Sequence, residues 1–432
     1  MLKRSALCAL IFIILTIQPY PPIRGYAENK IQEMIDSANP GDTVFIKSGN
    51  YMECIVISKP IHLVGESPVD TIINCCGDSD VITVLSDNVI IASITVKNSS
   101  GNSGIYIKGA SNVSLVNCVL SDCYFGVKID FSSNVFISNC TISNNTFAGI
   151  RVWGTSVGVN IQNSTVFNNR YGIGLFTYSQ GNVINANSVF SNFIGVAMLN
   201  SKENQIIKNF LFNNSYGLYL EDRLTTNNTI AKNQITNNTY GVYINLFVNG
   251  QTGNLFYLNN FLNNTRHAFV EPLFSSLNNW NLSYPIGGNY WGNYNFEDLM
   301  HGVYQNLTGS DGLIDKPYFI AENNIDFYPL VNPYIESIEE HNKKENFEFI
   351  PLIIAITIFV VVYTINYTLI KRSTQKQRND IKKLSLQLFV VHSNLAASLL
   401  SRKTATRVLF LSLFYVIYIG HHSTNNYYLS DP

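Results

Sequence analysis

Gly126-Val-Lys-Ile129, Gly149-Ile-Arg-Val152, Gly217-Leu-Tyr-Leu220 and Gly241-Val-Tyr-Ile244 state one phrase four times: a glycine, then apolar residues at alternate positions. The phrase recurs over residues 104–268, at Gly104, Gly126, Gly149, Gly172, Gly195, Gly217 and Gly241, in steps of 22, 23, 23, 23, 22 and 24 residues. Asparagines five apart recur between these glycines, from Asn112 to Asn117, Asn134 to Asn139, Asn204 to Asn209 and Asn228 to Asn233. Paired asparagines form a third phrase, at Asn144-Asn145, Asn168-Asn169, Asn213-Asn214, Asn237-Asn238 and Asn263-Asn264.

A period of this length marks a solenoid, and the period-two alternation within it marks strands rather than helices. Three short strands per coil, separated by Asn or Gly turns, predict an all-β fold, a right-handed parallel β-helix of about ten coils. Equivalent asparagines then lie about 4.8 Å apart along the axis, where their amides can bond in a ladder. Asn209 is expected to bond to Asn187 and Asn233, and Asn139 and Asn163 are expected to be buried on such a ladder. The repeat glycines are expected to supply positive φ at the corners.

The chain is poor in charge, 13 % of residues, with a net charge of −1. A nucleic-acid partner would need a basic surface, so that class is excluded. Of seven cysteines, Cys8 lies in the leader and the rest include no metal-type C-x-x-C pair. Cys118 and Cys140 fall at equivalent places on adjacent coils, which allows either a disulfide or two buried thiols.

Residues 1–27 read as a signal peptide: Lys3 and Arg4 precede an apolar run, and Gly25-Tyr-Ala27 offers a cleavage site. The β-helix is assigned to 28–270. It opens with one amphipathic helix, Ile31-Gln-Glu-Met-Ile-Asp-Ser-Ala38, which blocks the first coil. A strand over 43–47 and a turn at Ser48-Gly49-Asn50-Tyr51 follow. A C-terminal module covers 271–333, a charged linker 334–348, a transmembrane helix 349–370 and a basic cytoplasmic segment 371–432. The span carries some 20 uncharged apolar positions, enough for about 30 Å of hydrocarbon. Lys371-Arg372, Lys376, Arg378, Lys382 and Lys383 follow it and place that end inside, so the β-helix is expected on the extracytoplasmic side of the cell membrane. A second membrane segment over 404–420 is topologically allowed.

Two stretches carry family resemblances. Ile31, Gln32, Ala38, Pro40-Gly-Asp-Thr-Val44, Gly49-Asn-Tyr51, Lys59-Pro-Ile61, Leu63 and Gly65-Glu66 resemble the opening of many secreted β-helix proteins. Gly287-Gly-Asn-Tyr-Trp-Gly-Asn-Tyr294, Asp311-Gly-Leu-Ile-Asp315, Lys316-Pro-Tyr318 and Asp326-Phe-Tyr-Pro-Leu330 resemble the C-terminal end of NosD-type periplasmic copper-binding proteins of the parallel β-helix repeat family, in its surface-anchored archaeal branch. Leu313-Ile314 stands where that family usually has Ile-Gly. The resemblance implies copper and an accessory role in metal-site maturation.

The ligands for copper are sparse. Imidazole and sulfur donors suit that metal, but His62, His267, His301 and His341 are scattered, and Met300-His301 is the one adjacent pair. Asp311 and Asp315, with Asp326 or Asp298, offer oxygen ligands to calcium; the bland reading makes Asp311-Gly312 a turn and Asp315 a cap.

The residue two after each glycine forms an outward stripe of Tyr106, Lys128, Arg151, Gly174, Ala197, Tyr219 and Tyr243. Lys128 and Arg151, with Asp122 and Asp130, have the residue types a polysaccharide lyase needs, and a glycoside hydrolase would need two or three clustered carboxylates. The chain lacks the Asn-Thr-Asp, Gly-His-Gly and Arg-Ile-Lys motifs of pectinases, and a solvated charge pair is the better explanation of the group. Tyr219 and Tyr243, with Tyr106 further along, offer aromatic rings to a sugar, although Tyr is also a common strand residue. The expectation is an exported, membrane-anchored binding or scaffold module without catalysis, for a polysaccharide or another surface protein. A carbohydrate-active enzyme is the alternative.

Overall fold

The computed structural model describes residues 30–335, apart from 76–78, 100, 248–249 and 273–275. The leader, the membrane segment, the basic tail with its second segment and nearly all of the linker lie outside the described residues. Among those described, no helix is long and apolar enough to cross a membrane.

Each coil contributes one strand to each of three parallel sheets. The first runs from Thr43–Ile46 to Ser276–Asn279 and the second from Gly49–Met52 to Tyr290–Trp291, with eleven strands each; the third runs from Ile55–Ile57 to Arg266–Val270 with ten. This is the right-handed all-β solenoid of about ten turns that the repeat predicts. Alternation does the packing. Ile105, Val127, Ile150, Ile173, Val196, Leu218 and Val242 pair in register down the third sheet, and each is fully buried. Stacked aliphatic columns of this kind remove apolar area from water at roughly 25 cal/mol per Å².

From Asn88 onward the corners of the regular coils share a two-residue device. A left-handed residue turns the chain outside, and the next side chain points in. At the second-to-third corner the outer residues are Asn144, Asn168, Asn213 and Asn237, with φ of 54–57°. Their partners Asn145, Asn169, Asn214 and Asn238 are buried. Within a ladder a buried carboxamide oxygen accepts from the backbone N–H and the amide of the asparagine one coil earlier, as Asn209 does from Asn187 at 3.0 Å for both. Asn209 in turn donates to Asn233 at 2.9 and 3.1 Å. The first asparagine of each ladder accepts only a backbone N–H, as Asn145 does from Cys123. Three such ladders run along the three corners.

The ladder exists, but not every asparagine assigned to it belongs there. Asn139 and Asn163 are exposed, at φ of 54° and 50°, and serve as the outer turn residues. The buried places beside them hold Cys140 and Ser164. The glycines are also corrected. None of the seven has positive φ; a Cβ on Gly104, Gly126, Gly149, Gly172, Gly195 or Gly217 would sit 2.5–2.8 Å from the carbonyl oxygen of the next glycine. Close approach between coils, not the turn, excludes a side chain there.

Both ends are closed. The helix Ile31–Ser37 buries Ile31 and Ile35 over the first coil. Its free N-terminal amides are satisfied by Glu53, which accepts from Ile31 at 2.9 Å and Gln32 at 3.1 Å. The residues 49–51 lie in the strand Gly49–Met52 rather than in a turn. At the other end the coils continue past residue 270, through Ser276–Asn279 and Tyr290–Trp291. The signature residues then finish the structure. Trp291 stacks between Phe261 (4.5 Å) and Tyr318 (4.0 Å), and Trp280 stacks on Phe256 at 4.3 Å. Asn324 ends one ladder and Asp326 another. The chain leaves at Tyr334, whose backbone is held from both sides by the Asn260 amide at 2.7 and 2.9 Å.

Cys118 and Cys140 are buried free thiols on the ladder, and Cys123 is also free; the disulfide joins Cys54 to Cys75 on adjacent coils.

Candidate functional site

The third sheet carries the predicted outward stripe in the predicted register, Tyr106 beside Lys128, Arg151, Gly174, Ala197, Tyr219 and Tyr243, with Phe269 added at the end. Small residues at Gly174 and Ala197 divide it into two clusters. Phe176 lies over Gly174, where a Cβ would meet its ring.

The N-terminal cluster is a closed charge network. Asp130, two residues after Lys128 and therefore on the same face, lies 3.7 Å from the Lys128 ammonium and 3.6 Å from the Arg151 guanidinium. Its other contact is the Tyr106 hydroxyl, which donates at 3.1 Å. Lys128 also sits 4.1 Å from the Tyr106 ring centroid. Burial, then the Asp130 charge, pushes the Tyr106 hydroxyl up to about 12. Asp122 does not join this group. It occupies an exposed left-handed turn before the strand, where it accepts from the Ser121 hydroxyl.

The C-terminal cluster is aromatic and acidic. Tyr219 and Tyr243 lie 5.4 Å apart with planes 14° from parallel, and Phe269 continues the column 5.1 Å further. Carbon surfaces stay about 3.5–4 Å apart, so centroids at these distances mean rings overlapping like tiles. Tyr216 and Tyr240 form a second column, 5.2 Å apart and 8° from parallel, standing edge-on to the first. The first column faces carboxylates: Tyr243 donates to Glu271 at 3.0 Å, and Glu221 stands beside Tyr219. Burial, then Glu271, pushes Tyr243 up to about 12; burial and Glu221 hold Tyr219 higher still. Burial also raises Glu221. These tyrosines are neutral hydrogen-bonding groups, not bases. Tyr216 and Tyr240 were missed in the sequence although both immediately precede repeat glycines; aligning coils on the glycine would have found them. Glu271 follows the last coil of the repeat, where no glycine marks the register.

The candidate metal ligands do not converge. Asp298 accepts from the amides of Asp311 (3.0 Å) and Gly312 (2.8 Å), and Asp315 from those of Leu299 (3.0 Å) and Met300 (3.1 Å). Asp311 holds Gln305 and the Leu313 amide. These carboxylates tie loops together. Asp326 is fully buried and accepts from Asn289, Trp291 and Tyr328; burial outweighs those bonds and pushes it up to about 7. His301 lies in the hairpin Met300–His301/Leu307–Thr308, while His267 is buried against Asn264. Among the described residues, no three His, Cys, Asp or Glu side chains gather at one point, so this donor set does not fit copper or calcium.

Among the described residues, connections flanking the third sheet span at most seven residues, as at 222–228. An open cavity of about 350 Å³ adjoins the stripe at Thr83, the register partner of Tyr106, and is lined by Cys54, Val56, Ser79, Asp80 and Asn102.

Solved structures of similar fold include the A-module of mannuronan C-5 epimerase AlgE4 from Azotobacter vinelandii, 15 % identical over 57 % of this chain and 89 % of that one, with a TM-score of 0.41. Pectate lyase Pel9A is 17 % identical, covering 60 % of this chain and 74 % of that one, also with a TM-score of 0.41. The catalytic domain of a GH87 α-1,3-glucanase is 13 % identical, covering 64 % and 70 %, with the same score of 0.41. No curated protein sequence matches. The model of the family described as periplasmic copper-binding protein (NosD) matches residues 70–296, more than half of the chain, across the glycine repeat and into the Gly287–Tyr294 motif. With its repeat register and closing signature accounted for, the chain belongs to the NosD family.

Proposed function

We propose that this protein is an extracytoplasmic β-helix that binds a glycan on its tyrosine face without processing it. The observation that carries this reading is the paired ring columns over Tyr216, Tyr219, Tyr240, Tyr243 and Phe269, half-buried and backed by acceptor carboxylates. Rings with polar edges suit sugars, whose C–H faces pack on carbon while their hydroxyls bond at the rim. The periplasmic description of the family and the Cys54–Cys75 disulfide both favour an oxidising compartment outside the cytoplasm. Anchorage by the apolar segment 349–370 belongs to the same proposal. Protease added to intact cells should remove the β-helix and spare a tag placed after Lys376; loss of that tag would reverse the orientation.

A catalytic reading rests on Lys128, Arg151, Asp130 and Tyr106. There the two cations share one carboxylate, which favours a structural charge network. A glycan array probed with the full-length chain separates the two. Changing Tyr219 and Tyr243 together to Ala should weaken the strongest binding at least ten-fold, at roughly 1 kcal/mol per ring beyond area burial. Changing Lys128 and Arg151 to Ala should move it less than two-fold, because both cations are already engaged by the buried Asp130 and stand apart from the tyrosine columns. Cleavage of a polyuronate with a rise in ultraviolet absorbance, abolished by Arg151→Ala, would make the protein a lyase instead.

A further inference from the structure

The charges around the tyrosine face narrow what it can hold. Glu221 lies two residues after Tyr219, and Glu271 two after Phe269, so both carboxylates stand on the same side as the rings. Asp222 follows at the turn, accepting from the Asn200 amide at 2.8 Å. The neighbouring cations are Arg223, exposed in the turn after Asp222, and Arg266, exposed at the far rim, with its guanidinium 5.2 Å from the Phe269 centroid and 6.0 Å from that of Tyr240. Carboxylates therefore outnumber cations along the column. A carboxylate has about four lone-pair sites, and the single bond from Tyr243 leaves Glu271 able to accept more.

Geometry adds a direction. Tyr219, Tyr243 and Phe269 repeat once per coil, about 4.8 Å along the axis, which is close to the length of one pyranose unit in an extended chain. A polymer lying parallel to the axis meets one ring per sugar. Its hydroxyls can donate to Glu221 and Glu271 as it advances. A uronate chain in the same place would set one carboxylate per residue against those of the protein, and like-charge juxtaposition is strongly unfavourable. Resting on the glycan-binding reading above, we infer that the tyrosine face is a subsite for uncharged, extended glycans and that Glu221 and Glu271 exclude polyuronates from it.

The test is affinity electrophoresis of the full-length chain in gels cast with hydroxyethylcellulose, galactomannan or polygalacturonate. The wild type should be retarded by at least one uncharged polymer and not by polygalacturonate. The isosteric double change Glu221→Gln and Glu271→Gln keeps an acceptor oxygen for each tyrosine; it should weaken retardation by the uncharged polymer, which loses charged acceptors, and raise the apparent affinity for polygalacturonate about ten-fold. Stronger retardation of the wild type by polygalacturonate would overturn the selectivity while leaving glycan binding intact, as would a double variant whose polygalacturonate affinity does not change. Loss of that polygalacturonate binding on Lys128→Ala and Arg151→Ala would place the polyuronate on the N-terminal cluster. Retardation by none of the three polymers, or retardation unmoved by Tyr219→Ala with Tyr243→Ala, would overturn the binding reading itself.

Discussion

An inward asparagine has two donors and an acceptor oxygen to satisfy in a dry corner, and only a neighbour of the same kind one coil away does this repeatedly. Asn209 illustrates the case. Its amide donates to the Ile184 and Ile207 carbonyls and to Asn233, while its oxygen takes both donors of Asn187. Asn209→Leu should therefore cost about 1–3 kcal/mol, since partners above and below lose their bonds. Asn139→Gly should cost less than about 0.5 kcal/mol, because Gly takes the same positive φ and the removed side chain is exposed. Urea unfolding of both variants checks the pair; equal losses would contradict the two roles assigned to these asparagines. The sequence alone could not separate them. Asn134 to Asn139 and Asn204 to Asn209 share a spacing, yet the first pair lies outside at the turn and the second lies one register place further, inside. Each role selects Asn for its own reason, left-handed tolerance in one and amide pairing in the other.

Among the elements, the glycine-led strands of the third sheet were the most legible, because a side-chain period of two fixes which residue faces out. Tyr219 and Tyr243 were placed correctly by that rule alone. The closing segment was not legible in the same way. Asp311, Asp315 and Asp326 have the composition of a cation site, and nothing in their spacing shows that each points to different backbone amides. Asp326 is the informative one, as the last acceptor of a ladder that arrives through Asn259 and Asn289. In the unfolded chain its carboxyl ionises near 3.8, whereas the folded chain keeps the proton up to about 7. Its contribution to stability is thus greatest below about pH 4 and is lost as pH rises toward 7, by on the order of a few kcal/mol. Asp326→Asn keeps an amide oxygen facing the same donors, as Asn289 does one coil earlier. The variant should gain on the wild type steadily between pH 4 and 7 in urea midpoints. A gain that shrinks over that window would mean the buried carboxylate is ionised.

The described β-helix is close to one-dimensional: each coil touches its two neighbours, and the same corner device is repeated along its regular coils. Its composition along the axis is uneven. At the first-to-second corner the early places are filled by Cys118, Cys140 and Ser164, the later ones by Asn187, Asn209, Asn233, Asn259 and Asn289. Cohesion between late coils therefore runs through amides aligned with the axis, while early coils depend more on aliphatic contact and on the Cys54–Cys75 link. The exit of the chain lies at the amide-rich end, where Asn260 grips the backbone of Tyr334 on both sides. Tension entering through Tyr334 would meet that grip first, and then the hairpin of Tyr318–Ala321 and Asn324–Asp326 that holds Asn324 and Asp326 in place. Once those give, nothing but one nearest-neighbour interface resists at a time. The β-helix would yield by peeling, one coil per event, and release roughly 80 Å of extended chain at each step.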